Sequence, residues 1–297
     1  MGCNMKSDTI IFIKELKKKV SLWRLLTFAS IFFLVILTSN RIFNSSSNKE
    51  FIAKVNINGV ILNDTFSFDK IKQLKNSNIK GVILNINSNG GDVVESEKLY
   101  TFFRELSKEK PVVSIINGMG ASGAYLVAMA SDYIVAYNTS LVGSIGVLIQ
   151  TYELTDLAKK MGINLINYKS SSLKGAPNPF EKINPDVDMV ISQQINDIYD
   201  YFLNIFIERR KIAITEAQEI ANGQVYTGRQ ALEYGLVDKL GGENEILEYF
   251  KDNNMNVDNI QIVDFNIYKK NRLDVLNNFI NSKLYNAING VMAIYNN

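Results

Sequence analysis

The sequence predicts an α/β domain with a covered, largely parallel sheet, following an N-terminal transmembrane helix. Three observations lead there. From residue 51 onward short apolar runs alternate with segments of helical periodicity. Those runs are apolar almost throughout rather than at every second position, as strands buried on both faces are. A basic N-terminus precedes an apolar stretch of about the 17 to 20 residues that cross a bilayer.

Lys6, Lys14, Lys17, Lys18, Lys19 and Arg24 surround the start of that stretch, which runs from Leu22 and Trp23 to Leu37. Residues 1–21 are therefore expected to form a basic cytoplasmic segment and 22–40 a single-pass anchor in the cytoplasmic membrane, with the domain outside. Thr38-Ser39-Asn40-Arg41 offers no small-x-small site for a signal peptidase, which favours an uncleaved anchor. Residues 41–50, rich in Ser and Asn, read as a linker. A catalytic-sized domain is expected over 51–250 and an extension over 251–297.

Within the domain, strands are expected at 51–62, 81–86, 111–116, 133–136 and 163–168. Helices are expected at 68–77, 93–106, 122–130 and 154–160. After Pro185 the spacing of Val187, Val190, Ile191, Ile195, Ile198, Tyr199, Phe202, Ile205 and Phe206 predicts one long helix. Two shorter helices should follow at 214–221 and 228–234, the second closed by Gly235 in the C′ position. Leu273, Leu276, Ile280, Leu284, Ile288 and Val291 step by three and four, as an amphipathic helix does; such a helix can lie on the membrane, on a neighbouring subunit or on its own domain.

Composition then removes whole classes of chemistry. The 297 residues contain no histidine, so Ser-His-Asp and Cys-His catalysis and histidine metal sites are excluded. The one cysteine, Cys3, precedes the apolar stretch, which excludes internal disulfides and a cysteine nucleophile on the domain. With 32 Lys and Arg against 30 Asp and Glu, no global basic field points to nucleic acid. The sequence shows no tight carboxylate cluster for a metal, and no cofactor is expected.

What remains is a serine with an unusual base. Gly118-Met119-Gly120-Ala121-Ser122-Gly123-Ala124-Tyr125 lies where a buried strand ends and a helix begins. Helix N-terminal amides there favour developing negative charge, so a nucleophile at Ser122 would be well placed. An N-cap serine among packing glycines is the plainer reading. Asn87-Ser88-Asn89-Gly90-Gly91-Asp92 forms a second glycine turn, either an N–H donor to a reacting carbonyl or a tight turn with an Asp cap. In a parallel sheet both turns lie at strand carboxyl ends, where ligands bind. The base must be a lysine neutral enough to take a proton. Lys169 and Lys174, at the end of the expected strand 163–168, are both candidates.

These blocks, with Gly143-Ser144-Ile145-Gly146-Val147, Gly223-Gln224-Val225-Tyr226-Thr227-Gly228-Arg229-Gln230-Ala231 and Gly235-Leu236-Val237-Asp238, resemble in residues and order the bacterial signal peptide peptidase A (protease IV) family, short single-repeat form. The resemblance covers roughly 51–242. It implies a fold similar to crotonases and the Clp protease subunit. It implies Ser122 as nucleophile, Lys174 as general base 52 residues later, Ser144 orienting the lysine amine, and the N–H groups of Gly91 and Gly123 as oxyanion hole. It further implies hydrophobic peptides, such as cleaved signal peptides, as substrates, and a homo-oligomeric ring. Two positions depart from the family pattern: Asn89 stands where proline is usual, and Ala124 where a second glycine is frequent. Alternative functions are a crotonase-like acyl-CoA enzyme and a catalytically silent membrane scaffold.

Overall fold

A computed structural model describes residues 49–257 and 260–269, with residues 17, 23–24 and 27–32. The chain divides into two compact units, Met1–Glu50 and Phe51–Asn297. In the first, residues 23–24 and 27–32 are helical. Most of the expected anchor 22–40, the linker up to 48 and the amphipathic stretch 273–291 lie outside the described residues. Among the described residues no helix is long and apolar enough to cross a membrane.

The second unit alternates strand and helix: β1 (Phe51–Ile61), α1 (Phe68–Lys72) with a 3-10 turn (Gln73–Lys75), β2 (Ile79–Gly91), α2 (Val93–Leu106), β3 (Val112–Ala121), α3 (Gly123–Ala128), β4 (Tyr133–Ala136) and β5 (Leu141–Gly143). Then come α4 (Thr155–Lys160), α5 (Pro185–Arg210), α6 (Ile214–Ile220), β6 (Val225–Thr227), α7 (Gly228–Glu233), β7 (Lys239–Leu240), α8 (Glu243–Asp252) and β8 (Gln261–Asp264). The sheet order is β6-β5-β3-β2-β1-β8, with β4 between β3 and β7. Every pair is parallel except β5 with β6.

β3 forks the sheet. Its residues 113–116 pair with β4, and its residues 119–121 pair with β5. Bulges let the strands run on through the glycine turns: the β2–β3 register shifts between Ile86 and Ser88, and the β1–β2 register between Asn58 and Val60. The turns therefore do not end β2 and β3, as the sequence suggested, but bend them.

The sheet is covered on both faces. One core joins Val55, Ile57, Val82, Leu84 and Ile86 to Leu99 and Phe103 of α2, Tyr125 of α3 and Phe206 of α5. The other joins Ile52, Ile83, Val113 and Val135 to Ile246 and Phe250 of α8. Removing a buried aromatic such as Phe250 costs about 3–5 kcal/mol.

Local chemistry sets the helix starts. Asp92 accepts a hydrogen bond from the Glu95 amide at 2.8 Å to cap α2, and Asn184 accepts one from Val187 at 2.9 Å ahead of Pro185. α7 closes as expected, with Gly235 at φ +71° and the Leu236 amide bonded to the Ala231 carbonyl at 2.7 Å.

One expected strand is absent. Residues 163–168 are not in the sheet, and Ile163, Leu165, Ile166 and Tyr168 are exposed, the last at 97%. Apolar content predicted burial in a strand there, but the segment pairs with no strand and stays exposed. Four short strands, β5 to β8, and helix α8 were not anticipated, being shorter or less apolar than the patterns that reveal such elements.

Candidate active site

Ser122 sits at the junction of β3 and α3 in a backbone conformation, φ +52° and ψ −126°, that non-glycine residues rarely adopt. Its own amide donates to the Gly143 carbonyl at 2.8 Å, and its carbonyl accepts from Tyr125 and Leu126 at 2.9 and 3.0 Å. Ser122 holds the N-cap position, yet its side chain makes no cap hydrogen bond. The plainer reading of an N-cap serine fails on that point.

The β2 turn presses against this junction. At Gly90, φ +88°, a Cβ would come within 2.7 Å of the Gly123 amide nitrogen and 2.8 Å of the Ala121 carbonyl oxygen. At Gly123 a Cβ would collide with Ser96 of α2 and stand 3.6 Å from the Gly91 nitrogen. The structure thus brings Ser122, Gly123 and Gly91 together, and only residues without a side chain allow the approach.

Further tethers hold the junction still. Gly143 leads directly into Ser144, which is itself at φ +49° and donates its amide to the Gln224 carbonyl at 2.7 Å. The buried Tyr125 hydroxyl, whose ionisation burial suppresses, donates to the Leu236 carbonyl at 2.7 Å. From α5, Arg209 donates to the Met129 and Ser131 carbonyls, both at 2.9 Å, and Arg210 pairs with Asp238 at 2.7 Å.

A narrow cleft of about 30 Å³ opens beside Ser122 and Gly123. Val93 and Leu126 line it, with Val147 from the chain after β5 and Ile198, Tyr201 and Phe202 from α5. The Tyr201 hydroxyl donates to Glu97 at 3.3 Å, and burial, reinforced by that carboxylate, pushes the phenol up to about 12. Sequence reading predicted one long helix from the α5 stripe and gave that stripe no place in the site. Its helical period was visible, but which turn of it would reach Ser122 was not.

Neither of the two candidate lysines lines this cleft. Lys169 is partly buried and ion-paired with Glu181, whose carboxyl is held below the usual range by hydrogen bonds from Lys169 and then Asn167. Lys174 is exposed, its amide bonded to the Ser171 carbonyl at 3.2 Å. Because residues 163–168 form no strand, the expected route from a strand end to the site is replaced by an open loop.

The profile of peptidase family S49 matches residues 104–258, and that of Clp protease residues 47–142. A protein of Enterococcus faecium, provisionally named signal peptide peptidase SppA, is 32% identical over 230 residues, covering 72% of this chain and 67% of the relative. The chain belongs to peptidase family S49. Membership places it among the serine peptidases, as the sequence blocks implied.

A provisionally named protease of Methanocaldococcus jannaschii is 39% identical over 193 residues, 65% of this chain and 62% of the relative. The chloroplastic serine protease SPPA of Arabidopsis thaliana is 32% identical over 178 residues, 59% of this chain and 26% of the relative. The chain thus spans less than two thirds of the archaeal relative and about a quarter of the plant one. Both family profiles include Ser122, and the S49 match also includes Ser144 and Lys174.

Proposed function

We propose that this protein is a membrane-anchored serine endopeptidase that cleaves hydrophobic peptides, cleaved signal peptides among them, with a Ser122/Lys174 dyad. The observation that carries the reading is Ser122 itself. A serine in a strained turn, its hydroxyl unused by the helix it precedes and flanked by an apolar cleft, is arranged for attack rather than for capping.

In the first half-reaction the Ser122 Oγ adds to the substrate carbonyl while the neutral Lys174 amine takes the hydroxyl proton. The N–H groups of Gly91 and Gly123 stabilise the oxyanion. The lysine ammonium then passes its proton to the leaving amine as the peptide bond breaks. Water, deprotonated by the same amine, hydrolyses the acyl-enzyme. Ser144 accepts a hydrogen bond from the lysine ammonium or donates one to the neutral amine, and so orients it.

Lys174 lies exposed in the single chain, whereas a lysine base works best in a water-excluded site. We assign the exclusion of water to assembly. The segment that bears Lys174 exposes Leu148, Tyr152, Ile166 and Tyr168, an apolar surface suited to lateral contact in a homo-oligomeric ring. Lys169 is the weaker candidate, since its amine is already engaged by Glu181.

The substrate class follows from the apolar, shallow cleft and from the expected anchor at 22–40, which would hold the domain outside the cytoplasmic membrane and close to lipid. The test is hydrolysis of a synthetic signal peptide by the full-length protein in vesicles. Cleavage should be lost with Lys174→Ala and kept with Lys169→Ala. Full activity of the Lys174→Ala protein would overturn the dyad.

A further inference from the structure

A second apolar hollow, of about 1040 Å³, lies between α1 and α2 and shares no lining residue with the Ser122 cleft. Half-buried Phe68 and Phe102 line it with Thr101, and charged side chains of both signs, Lys72, Lys75, Lys98, Glu97 and Glu105, complete the lining. Lys98 Nζ stands 6.0 Å over the Phe68 ring, so even this cation lies against apolar surface.

The described chain ends beside that hollow. After β8 the backbone returns along residues 65–67. The Ser67 amide donates to the Ile267 carbonyl at 2.8 Å, the Lys269 amide donates to the Thr65 carbonyl at 3.0 Å, and the Phe66 and Tyr268 rings lie 5.1 Å apart. Lys70 of α1 donates from Nζ to the Tyr268 carbonyl at 2.5 Å. The three-residue step from Thr65 to Phe68 covers at most about 10 Å, and the four-residue step from Lys269 to Leu273 reaches about 14 Å. A segment starting at Leu273 can therefore enter the hollow.

That segment carries the stripe Leu273, Leu276, Ile280, Leu284, Ile288 and Val291, whose spacing would place it on one side of a helix roughly 27 Å long. An isolated helix of this kind is marginal in water and needs an apolar partner. α2, about 20 Å long, runs beside the hollow with Phe102 facing it. We propose that Leu273–Val291 docks as a helix in the groove between α1 and α2 of its own chain, its apolar stripe on Phe68 and Phe102. The docked segment covers the helix whose first turn follows the Gly90–Gly91 bend. The proposal stands independently of the catalytic reading.

Cysteine trapping in the full-length chain tests it, because Cys3→Ala leaves a cysteine-free background. Thr101→Cys is paired in turn with Ile280→Cys and Leu284→Cys on the stripe and with Asn278→Cys and Ser282→Cys on the opposite side. Under mild oxidation the stripe positions should cross-link within one chain at least several-fold faster than the others, and Phe102→Glu should abolish the difference. Three results would each overturn the proposal: disulfides between chains, which make a second copy the occupant; equal rates on both sides of the segment; and loss of the cross-link when anionic lipid vesicles are added, which makes the bilayer its partner. Fluorophosphonate labelling of Ser122 in the same proteins reads the catalytic proposal separately.

Discussion

The amide of Ser122 donates to the carbonyl of Gly143 at 2.8 Å, so the strand-to-helix turn that carries the serine is pinned to β5 one residue before Ser144. Both serines have positive φ, +52° and +49°, and non-glycine residues held there cost of order 1–3 kcal/mol each. The strain persists because β3, β5 and β6 fix the backbone on both sides.

Relieving that strain separates stability from activity. Ser122→Gly should raise the unfolding temperature by about 2–4 °C, the shift expected for roughly 1 kcal/mol in a domain of this size, while abolishing peptide hydrolysis. Ser122→Ala should abolish hydrolysis without the gain. Thermal unfolding of the two proteins beside the wild type gives the comparison, and a lower melting temperature for the glycine variant would contradict the strain.

Gly90 reports on the β2 turn beside Ser122. A Cβ at this position meets the Gly123 nitrogen at 2.7 Å and the residue has φ +88°, so Gly90→Ala must push the turn away from Ser122. We expect kcat to fall by about 100-fold or more, the loss typical when one oxyanion donor is removed, in a protein that still unfolds cooperatively. Wild-type kcat in the variant would show that the turn has no part in the chemistry.

If the proposed base is a lysine, activity should rise with pH, because an amine base works only in its neutral form. Tyr201 does not contribute to that rise: its phenol, pushed up to about 12, stays protonated across the working range. Tyr201→Phe should keep the pH profile of kcat/KM unchanged. A rate independent of pH between mildly acid and alkaline conditions would argue against a lysine base.

Tyr201 instead bounds the cleft. Its ring, with Ile198 and Phe202, limits the space beside Ser122 to about 30 Å³. Tyr201→Ala should shift preference toward substrates with larger aliphatic or aromatic side chains, by about 10-fold or more in the ratio of kcat/KM values for each one or two methylenes newly admitted. Competition between peptides differing only at that side chain measures the ratio.

Much of this was legible in the sequence because local rules and tertiary structure agree. The helix at 93–106 appears with the same bounds, since Asp92 caps it and Leu99, Phe103 and Leu106 form its buried face. The long helix after Pro185 and the Gly235 closure follow for similar reasons. Residues 163–168 were misread because apolar content reports a need for burial and not the partner that supplies it. The approach of the two glycine turns at Ser122 was legible, since both were expected at strand carboxyl ends, and the structure brings them together. The cleft wall from Ile198, Tyr201 and Phe202 was not, because helical periodicity shows which side of α5 is buried and not what it faces.

The central claim is that Ser122 is a nucleophile, and the mass of the intact protein after reaction with a fluorophosphonate tests it most directly. The account predicts a single adduct, located on the peptide containing Ser122, lost in Ser122→Ala and strongly slowed in Lys174→Ala. An unmodified wild-type protein under conditions where it is folded and assembled, or an adduct that persists in Ser122→Ala, would contradict it.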